Sequence, residues 1–289
     1  MSVILRGAVR LYYYLNEEIA DPRTQEWYLM RTPWPGLCLM GLYLLVVFRW
    51  LPKHMSNRPA YDLRPIIAAY NIVQIIGCSY VVYKSLVLGW LNHYSMVCQP
   101  VGQGPHGVSY AWHVCYMYFL IKVVDLLDTV NFFRLRKKQD QITFLHVYHH
   151  FGMVAVAWGI VKWVTRTLTR PEFIMCKIPT YLIPPASTGG HCTFLVTANS
   201  FVHIIMYMYY LLTIWDKSYK RSVWWKRHVT EIQIAQFSIL FIHFLVLVMA
   251  RDCGFPRQPA YILIPQNIFM VILFSDFYYR TYIKKSNKN

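Results

Sequence analysis

The sequence predicts an all-α polytopic membrane protein with seven transmembrane helices. Three observations carry the polytopic class. Hydrophobic residues fill 56% of 289 positions and charged residues only 15%, where a soluble domain carries about 25% charge. Mean hydropathy is +0.30. The 29 basic residues, which give a net charge of +16, fall between long apolar runs and not along one soluble face, as a nucleic-acid binder would require. The apolar content also excludes a disordered chain.

A helix needs about 20 mostly apolar residues to cross a bilayer. Seven runs qualify, at 34–51, 65–90, 111–132, 145–163, 190–213, 230–250 and 260–280. The first, third and sixth are clear. The second is long and contains Lys84, and the seventh is weaker because it holds Gln266, Asn267 and Asp276. Residues 1–33 carry no apolar signal-peptide core and form an N-terminal segment. Residues 34–283 form the seven-span domain, and 284–289 a tail. The first span is then its own insertion signal.

Basic residues fix the orientation, because they accumulate on the cytosolic side. The connections after spans 1, 3 and 5, with the tail, hold 17 of the 29; the opposite side holds ten, and Lys84 and Lys122 lie within spans. The 17-rich side is expected to be cytosolic and the N-terminus lumenal or external. Positive-inside topology and contact with anionic membrane lipid therefore account for the charge without any nucleic acid. Of seven cysteines, Cys98, Cys176 and Cys253 fall in the segments read as lumenal, where a disulfide is permitted. Cys98–Cys253 is the expected pair, since both sit in short loops at span ends, although sequence leaves connectivity open.

Polar groups inside a bilayer are costly and mark function by default. Four sets stand out. Lys122, Asp125, Asp128 and Thr129 share one side of the end of span 3, where Lys122 and Asp125 are also spaced to pair at i, i+3. His146, His149 and His150 share one face at the start of span 4. These imidazoles suit either a metal held by His146 and His150 or a nucleophile or base at neutral pH. Asn199, His203, Tyr207 and Tyr210 form a stripe on span 5, which an aromatic core or interfacial belt would also produce. Thr230, Gln233 and Gln236 open span 6, where interhelical hydrogen bonding is the plainer reading.

All four sets fall in the cytosolic half of their spans, a depth that scattered structural pairs would not need to share. One buried polar site opening toward the cytosol follows. The basic connections 134–138, with Arg136 and Lys137, and 217–227 lie at its mouth and suit an anionic, phosphorylated substrate. The spans are apolar on the far side of the site. That combination fits an amphiphile with an anionic head and an alkyl tail.

The four sets, in this order, resemble the ELO family of very-long-chain fatty acid elongases. The family pattern KxxExxDT, HxxHH, NxxxHxxMYxYY, TxxQxxQ meets KVVDLLDT at 122–129, QITFLHVYHH at 141–150, NSFVHIIMYMYY at 199–210 and TEIQIAQF at 230–237. The likeness extends to DPR at 21–23, NRPAYDLR at 57–64, CQPV at 98–101 and the Cys-Gly pair at 253–254, covering roughly residues 20–283. HxxHH alone is weak; four polar motifs in order on a seven-span chain are specific. Asp125 replaces the usual Glu and shortens its reach by one methylene. Lys284 and Lys285 stand too far from the terminus for a dilysine retrieval signal.

The resemblance implies a condensing enzyme of the endoplasmic reticulum membrane. It would join a long-chain acyl-CoA to malonyl-CoA, releasing CO2 and CoA, with no bound cofactor or metal. It implies six helices forming a barrel around an acyl-chain tunnel closed at the lumenal end, and a seventh outside. In its mechanism an imidazole, assigned to His150, takes the acyl group from CoA, while His146, His149 and His203 orient groups or move protons. Asn199, Gln233 and Gln236 would hydrogen-bond a developing oxyanion, and Lys122 would meet a phosphate or carboxylate or pair with Asp125. The remaining substrate-binding candidates are Asp128, Thr129, Tyr207, Tyr210, Thr230, Arg136 and Lys137. Ketoacyl reductase, dehydratase and enoyl reductase partners follow from the pathway, and a homo-oligomer is compatible with it.

Rival readings fit the residues less well. A di-iron desaturase or hydroxylase needs a full multi-histidine ligand set, yet outside 146–150 the other eight of eleven histidines are mostly isolated. A seven-span receptor would rarely hold clustered His, Lys and Asp at one depth. A transporter should show a pair of interrupted helices. Cys115 lies seven residues before Lys122 on the same face, about 10 Å deeper at about 1.5 Å per residue, which favours lining over chemistry.

Overall fold

A computed structural model describes residues 3–18, 20, 22–92, 94–99, 107–130, 142–164, 190–250, 253, 255 and 257–284. Arg136, Lys137 and Cys176 lie outside the described residues. Among the described residues the α-helices are α1 (Val3–Tyr13), α2 (Pro33–Leu45), α3 (Leu51–Met55), α4 (Arg64–Ser85), α5 (Gly107–Leu127), α6 (Phe144–Gly159), α7 (Gly190–Trp215), α8 (Lys217–Arg221), α9 (Val223–Met249) and α10 (Gln258–Tyr278). Among the described residues there is no strand.

Local chemistry explains where the helices begin. Thr32, in extended backbone, precedes Pro33 at the head of α2, where proline's missing N–H is no loss. Prolines also open α4 and α10. Thr143 caps α6 by accepting the His146 N–H at 3.2 Å, and Asp216 caps α8 by accepting the Ser218 N–H at 2.7 Å. These side chains satisfy amides that the first turn leaves unpaired. Wider turns of the π type carry α2 into α3, and α6 on to Val164.

Among the described residues six helical stretches are long and apolar enough to cross a membrane: Pro33–Met55, Arg64–Ser85, Phe144–Trp163, Gly190–Trp215, Val223–Met249 and Gln258–Ile283. They match six of the seven runs read from sequence. The remaining run is helical as α5, which carries Lys122 and Asp125 in its last turns.

The helices pack in the order α4–α7–α9–α10–α6–α5 and back to α4, with α5 also touching α7. Tertiary bonds show how they run. Trp27 packs against Tyr116 and edge-on to His113 in the first half of α5, with centroids 4.3 and 5.9 Å apart. Trp158 and Trp163, late in α6, donate to the carbonyls of Leu29 and Leu15, each at 2.9 Å. Buried Lys162 donates to the Met30 carbonyl at 2.7 Å. A disulfide joins Cys98, after α4, to Cys253, after α9, and the Gln99 N–H bonds His191 at the start of α7. The starts of α5 and α7 thus stand with the ends of α4, α6 and α9, together with the N-terminal segment and the disulfide. Sequence neighbours α4/α5 and α5/α6 run antiparallel, and the polar site gathers at the opposite end.

Segment 3–18 is more structured than the sequence suggested. Its helix α1 is amphipathic, buries no residue, and touches the head of α2 through Tyr12 and Trp34, stacked at 6.1 Å.

Candidate active site

The site grows from one ion pair. Lys122 and Asp125 are 1% and 2% exposed, a depth at which charged residues survive only when paired. One helical turn apart, they meet with Nζ of Lys122 2.8 Å from Oδ2 of Asp125. The ammonium also lies 3.2 Å from Nε2 and 3.4 Å from Nδ1 of His203, and 5.0 Å from the centre of the Tyr118 ring.

Two other helices supply donors to Asp125. Gln74 Nε2 on α4 donates to Oδ1 at 2.6 Å, and the Tyr207 hydroxyl on α7 lies 3.1 Å from the same oxygen. That hydroxyl is also 2.9 Å from Oδ2 of Asp128. Tyr70 closes this side, accepting from Gln74 at 2.8 Å and lying 3.4 Å from the Tyr207 oxygen.

Thr129 connects this cluster to the histidines. Its Oγ1 is 2.8 Å from Nε2 of His146 and 2.9 Å from the Tyr43 hydroxyl of α2. The His146 and His150 rings are 4.3 Å apart, and those of His149 and His150 5.5 Å. His149 stacks toward His203 at 6.5 Å, with Phe237 and Phe274 edge-on to it at 6.1 and 6.2 Å. The imidazoles therefore sit between the acid–lysine cluster and an apolar wall. Among the described residues no three His, Cys, Asp or Glu side chains group as metal ligands would.

A second chain of bonds runs deeper along α7. Tyr118 donates to Oδ1 of Asn199 at 2.9 Å, and Asn199 Nδ2 donates to Oε1 of Gln236 at 3.3 Å. Gln236 Nε2 is then a buried donor without a protein acceptor, a rare condition that calls for an explanation.

The other expected site residues stand apart from these chains. Gln233 points its amide at the Met206 sulfur, 3.6 Å away. Thr230 bonds back to the Lys226 carbonyl of its own helix at 3.0 Å, a common use of threonine in apolar helices. Tyr210 packs on Tyr207, with centroids 6.0 Å apart. Sequence reasoning overlooked Tyr43, Tyr70, Gln74 and Tyr118. Gln74 was findable as one of two amides, with Asn71, in an apolar run; the tyrosines carry no pattern distinct from core aromatics.

At the far end His191 and His243 share a 2.8 Å hydrogen bond. Phe194 stacks on His243 at 4.2 Å, and Trp90 bonds Thr193 at 3.2 Å. Aromatic rings and the Cys98–Cys253 disulfide gather at this end.

The chain is similar to known proteins over nearly its whole length. It is 37% identical over 286 residues to "Very long chain fatty acid elongase 4" of Homo sapiens, covering 98% of this chain and 82% of that protein. To "Very long chain fatty acid elongase 7" of Drosophila melanogaster it is 33% identical over 277 residues, 95% of this chain and 77% of that one. To the Rattus norvegicus elongase 7 it is 34% identical over 269 residues, 92% and 86% of the two. Residues 28–178 and 173–289 match the family described as ELO: GNS1/SUR4. With the four motifs gathered at one end of a helical membrane protein, the chain belongs to the ELO (GNS1/SUR4) family.

Proposed function

We propose that this chain, which acts in fatty acid elongation as a condensing enzyme, joins a long-chain acyl-CoA to malonyl-CoA through an acyl-imidazole. A nitrogen of His150 attacks the thioester carbonyl, the C–S bond breaks, and CoA leaves as thiolate. Malonyl-CoA then loses CO2. Its carbanion attacks the acyl-imidazole, forming the new C–C bond and freeing the histidine. Two moderate barriers replace one high one. The product is a 3-oxoacyl-CoA two carbons longer.

The observation that carries this reading is the buried joint between Thr129 and His146, which sets the histidines against the Lys122–Asp125 pair. His146 orients the box, and His149 and His203 line its inner side. The unpartnered Nε2 of Gln236 is a ready donor to the oxyanion that forms as the carbonyl is attacked. Tyr118 and Asn199 hold it there.

The closed circuit of helix contacts supports a six-helix barrel of α4–α7, α9 and α10, with α2 outside and the acyl chain within. We place the site end in the cytosol and the disulfide end in the lumen of the endoplasmic reticulum. The reading agrees with the charge bias and with the compartment in which disulfides persist. CoA phosphates would then meet the basic connections on the cytosolic side, Arg136 and Lys137 among them. The reductases and dehydratase that complete a cycle would be partners on the same face.

A single turnover tests the mechanism. Purified protein receives acyl-CoA without malonyl-CoA. Release of CoA, with a matching acyl adduct on residues 146–150 by mass spectrometry, is the expected result. Product formed only when both substrates are present, with no adduct, would mean direct condensation and reduce the histidines to acid–base groups.

A further inference from the structure

We infer that Asp128 is a carboxylic acid and not a carboxylate in the resting protein. As a positioning residue it would begin a directed hydrogen-bond chain, from Asp128 to Tyr207 to Asp125, which meets Lys122 as Lys122 reaches His203. The reasoning starts from proton counting. Tyr207 has one hydroxyl proton, yet its oxygen lies 3.1 Å from a carboxyl oxygen of Asp125 and 2.9 Å from one of Asp128. A phenol donates once and otherwise accepts. Two ionised acids would have to share that one proton, each making half a bond, whereas a protonated carboxyl donates a second proton and completes both.

The partners decide which acid that is. Asp125 receives the Lys122 ammonium on one oxygen at 2.8 Å and the Gln74 amide on the other at 2.6 Å. Both contacts favour the ionised form. Asp128 has Tyr207 on Oδ2 and the Tyr70 phenol beside it, while its Oδ1 is buried without a hydrogen-bond partner from the protein. Phenols are weaker donors than an ammonium, and an ionised oxygen that no protein group meets is the costlier arrangement. The proton therefore sits on Asp128 Oδ2 and points at the Tyr207 oxygen, and the Tyr207 proton points at Asp125.

Charge balance agrees. The groups facing the two acids are Lys122 and Tyr118 on α5, Cys78 and Tyr70 on α4, Tyr43 on α2, and His203, Tyr207 and Tyr210 on α7. Lys122 is the one fixed cation among them, set against two acids. His203 is a poor second cation, because the Lys122 ammonium lies 3.2 Å from one ring nitrogen and 3.4 Å from the other. With Asp128 protonated the cluster is neutral, as a desolvated site prefers.

This arrangement has a use in the proposed reaction, on which the use alone depends: a neutral cluster does not repel the malonyl carboxylate. The protonation state itself needs no substrate and can be tested without one. Full-length protein in a detergent free of ester groups is examined by infrared spectroscopy, with Asp128→Asn and Tyr207→Phe variants alongside. Asp276→Asn, at an exposed acid, is the control. The expected result is a carboxylic-acid carbonyl band in the wild type that moves in deuterium oxide. It should be lost in Asp128→Asn and retained in Asp276→Asn. In Tyr207→Phe, which removes the acceptor of the acid proton, the band should move to higher wavenumber. A wild-type spectrum without the band would overturn the inference even if Asp128→Asn does not fold, and so would a band unchanged in Asp128→Asn or in Tyr207→Phe.

Discussion

The hydroxyl of Thr129 lies 2.8 Å from Nε2 of His146 and ties the last residue of KVVDLLDT to the first histidine of HVYHH. Two stretches that look independent in sequence are thus one mechanical unit. The same hydroxyl meets Tyr43 at 2.9 Å, so one threonine joins α2, the end of span 3 and α6.

Thr129→Val should weaken acyl transfer without abolishing it. A neutral hydrogen bond contributes about 1 kcal/mol, which corresponds to about 5-fold in rate. His146→Ala should cost about 100-fold or more if this imidazole takes part in proton transfer. Residues acting as one unit are not additive, so the double variant should match His146→Ala alone. CoA release in the first turnover is the measurement, and a double variant much slower than His146→Ala would disconnect the two residues.

The Lys122–Asp125 pair should reveal itself through thermal unfolding in detergent. Removing one partner of a buried ion pair costs about 3–5 kcal/mol, because the other charge stays buried alone. Lys122→Met and Asp125→Leu should each lower the melting temperature strongly. The double variant should lose less than the two single losses combined, since neither charge is then stranded. Strictly additive losses would show that the pair is not coupled.

The Cys98–Cys253 disulfide closes a sequence separation of 155 residues. Cross-links over long loops stabilise by about 2–5 kcal/mol. Cys98→Ser should lower the melting temperature accordingly, with Cys38→Ser, at an exposed free thiol, as an unaffected control. In sealed microsomes a membrane-impermeant reductant should leave the bridge intact until the vesicles are opened. Reduction in sealed vesicles would reverse the orientation proposed above.

Much of the fold was legible because the signals are local. An apolar run long enough to cross a bilayer is a property of about 20 consecutive residues, and six such runs return as helices of adequate length and hydropathy. Helical spacing likewise placed Lys122 against Asp125 and His146 above His150 before any coordinates. The amphipathic helix α1 was overlooked because a short segment holding Arg6 and Arg10 offers no apolar run.

The sequence by itself determined which residues are polar at which depth, because composition and helical period are fixed along one chain. Only the tertiary structure decided who meets whom. Gln74 and Tyr70 come to Asp125 from α4, Tyr43 reaches Thr129 from α2, and Tyr118 orders Asn199 and Gln236 across three helices. A tyrosine in an apolar run looks the same whether its hydroxyl serves an active site or a membrane interface. The difference lies in contacts between residues dozens of positions apart, and those are set by helix packing, which no local pattern encodes.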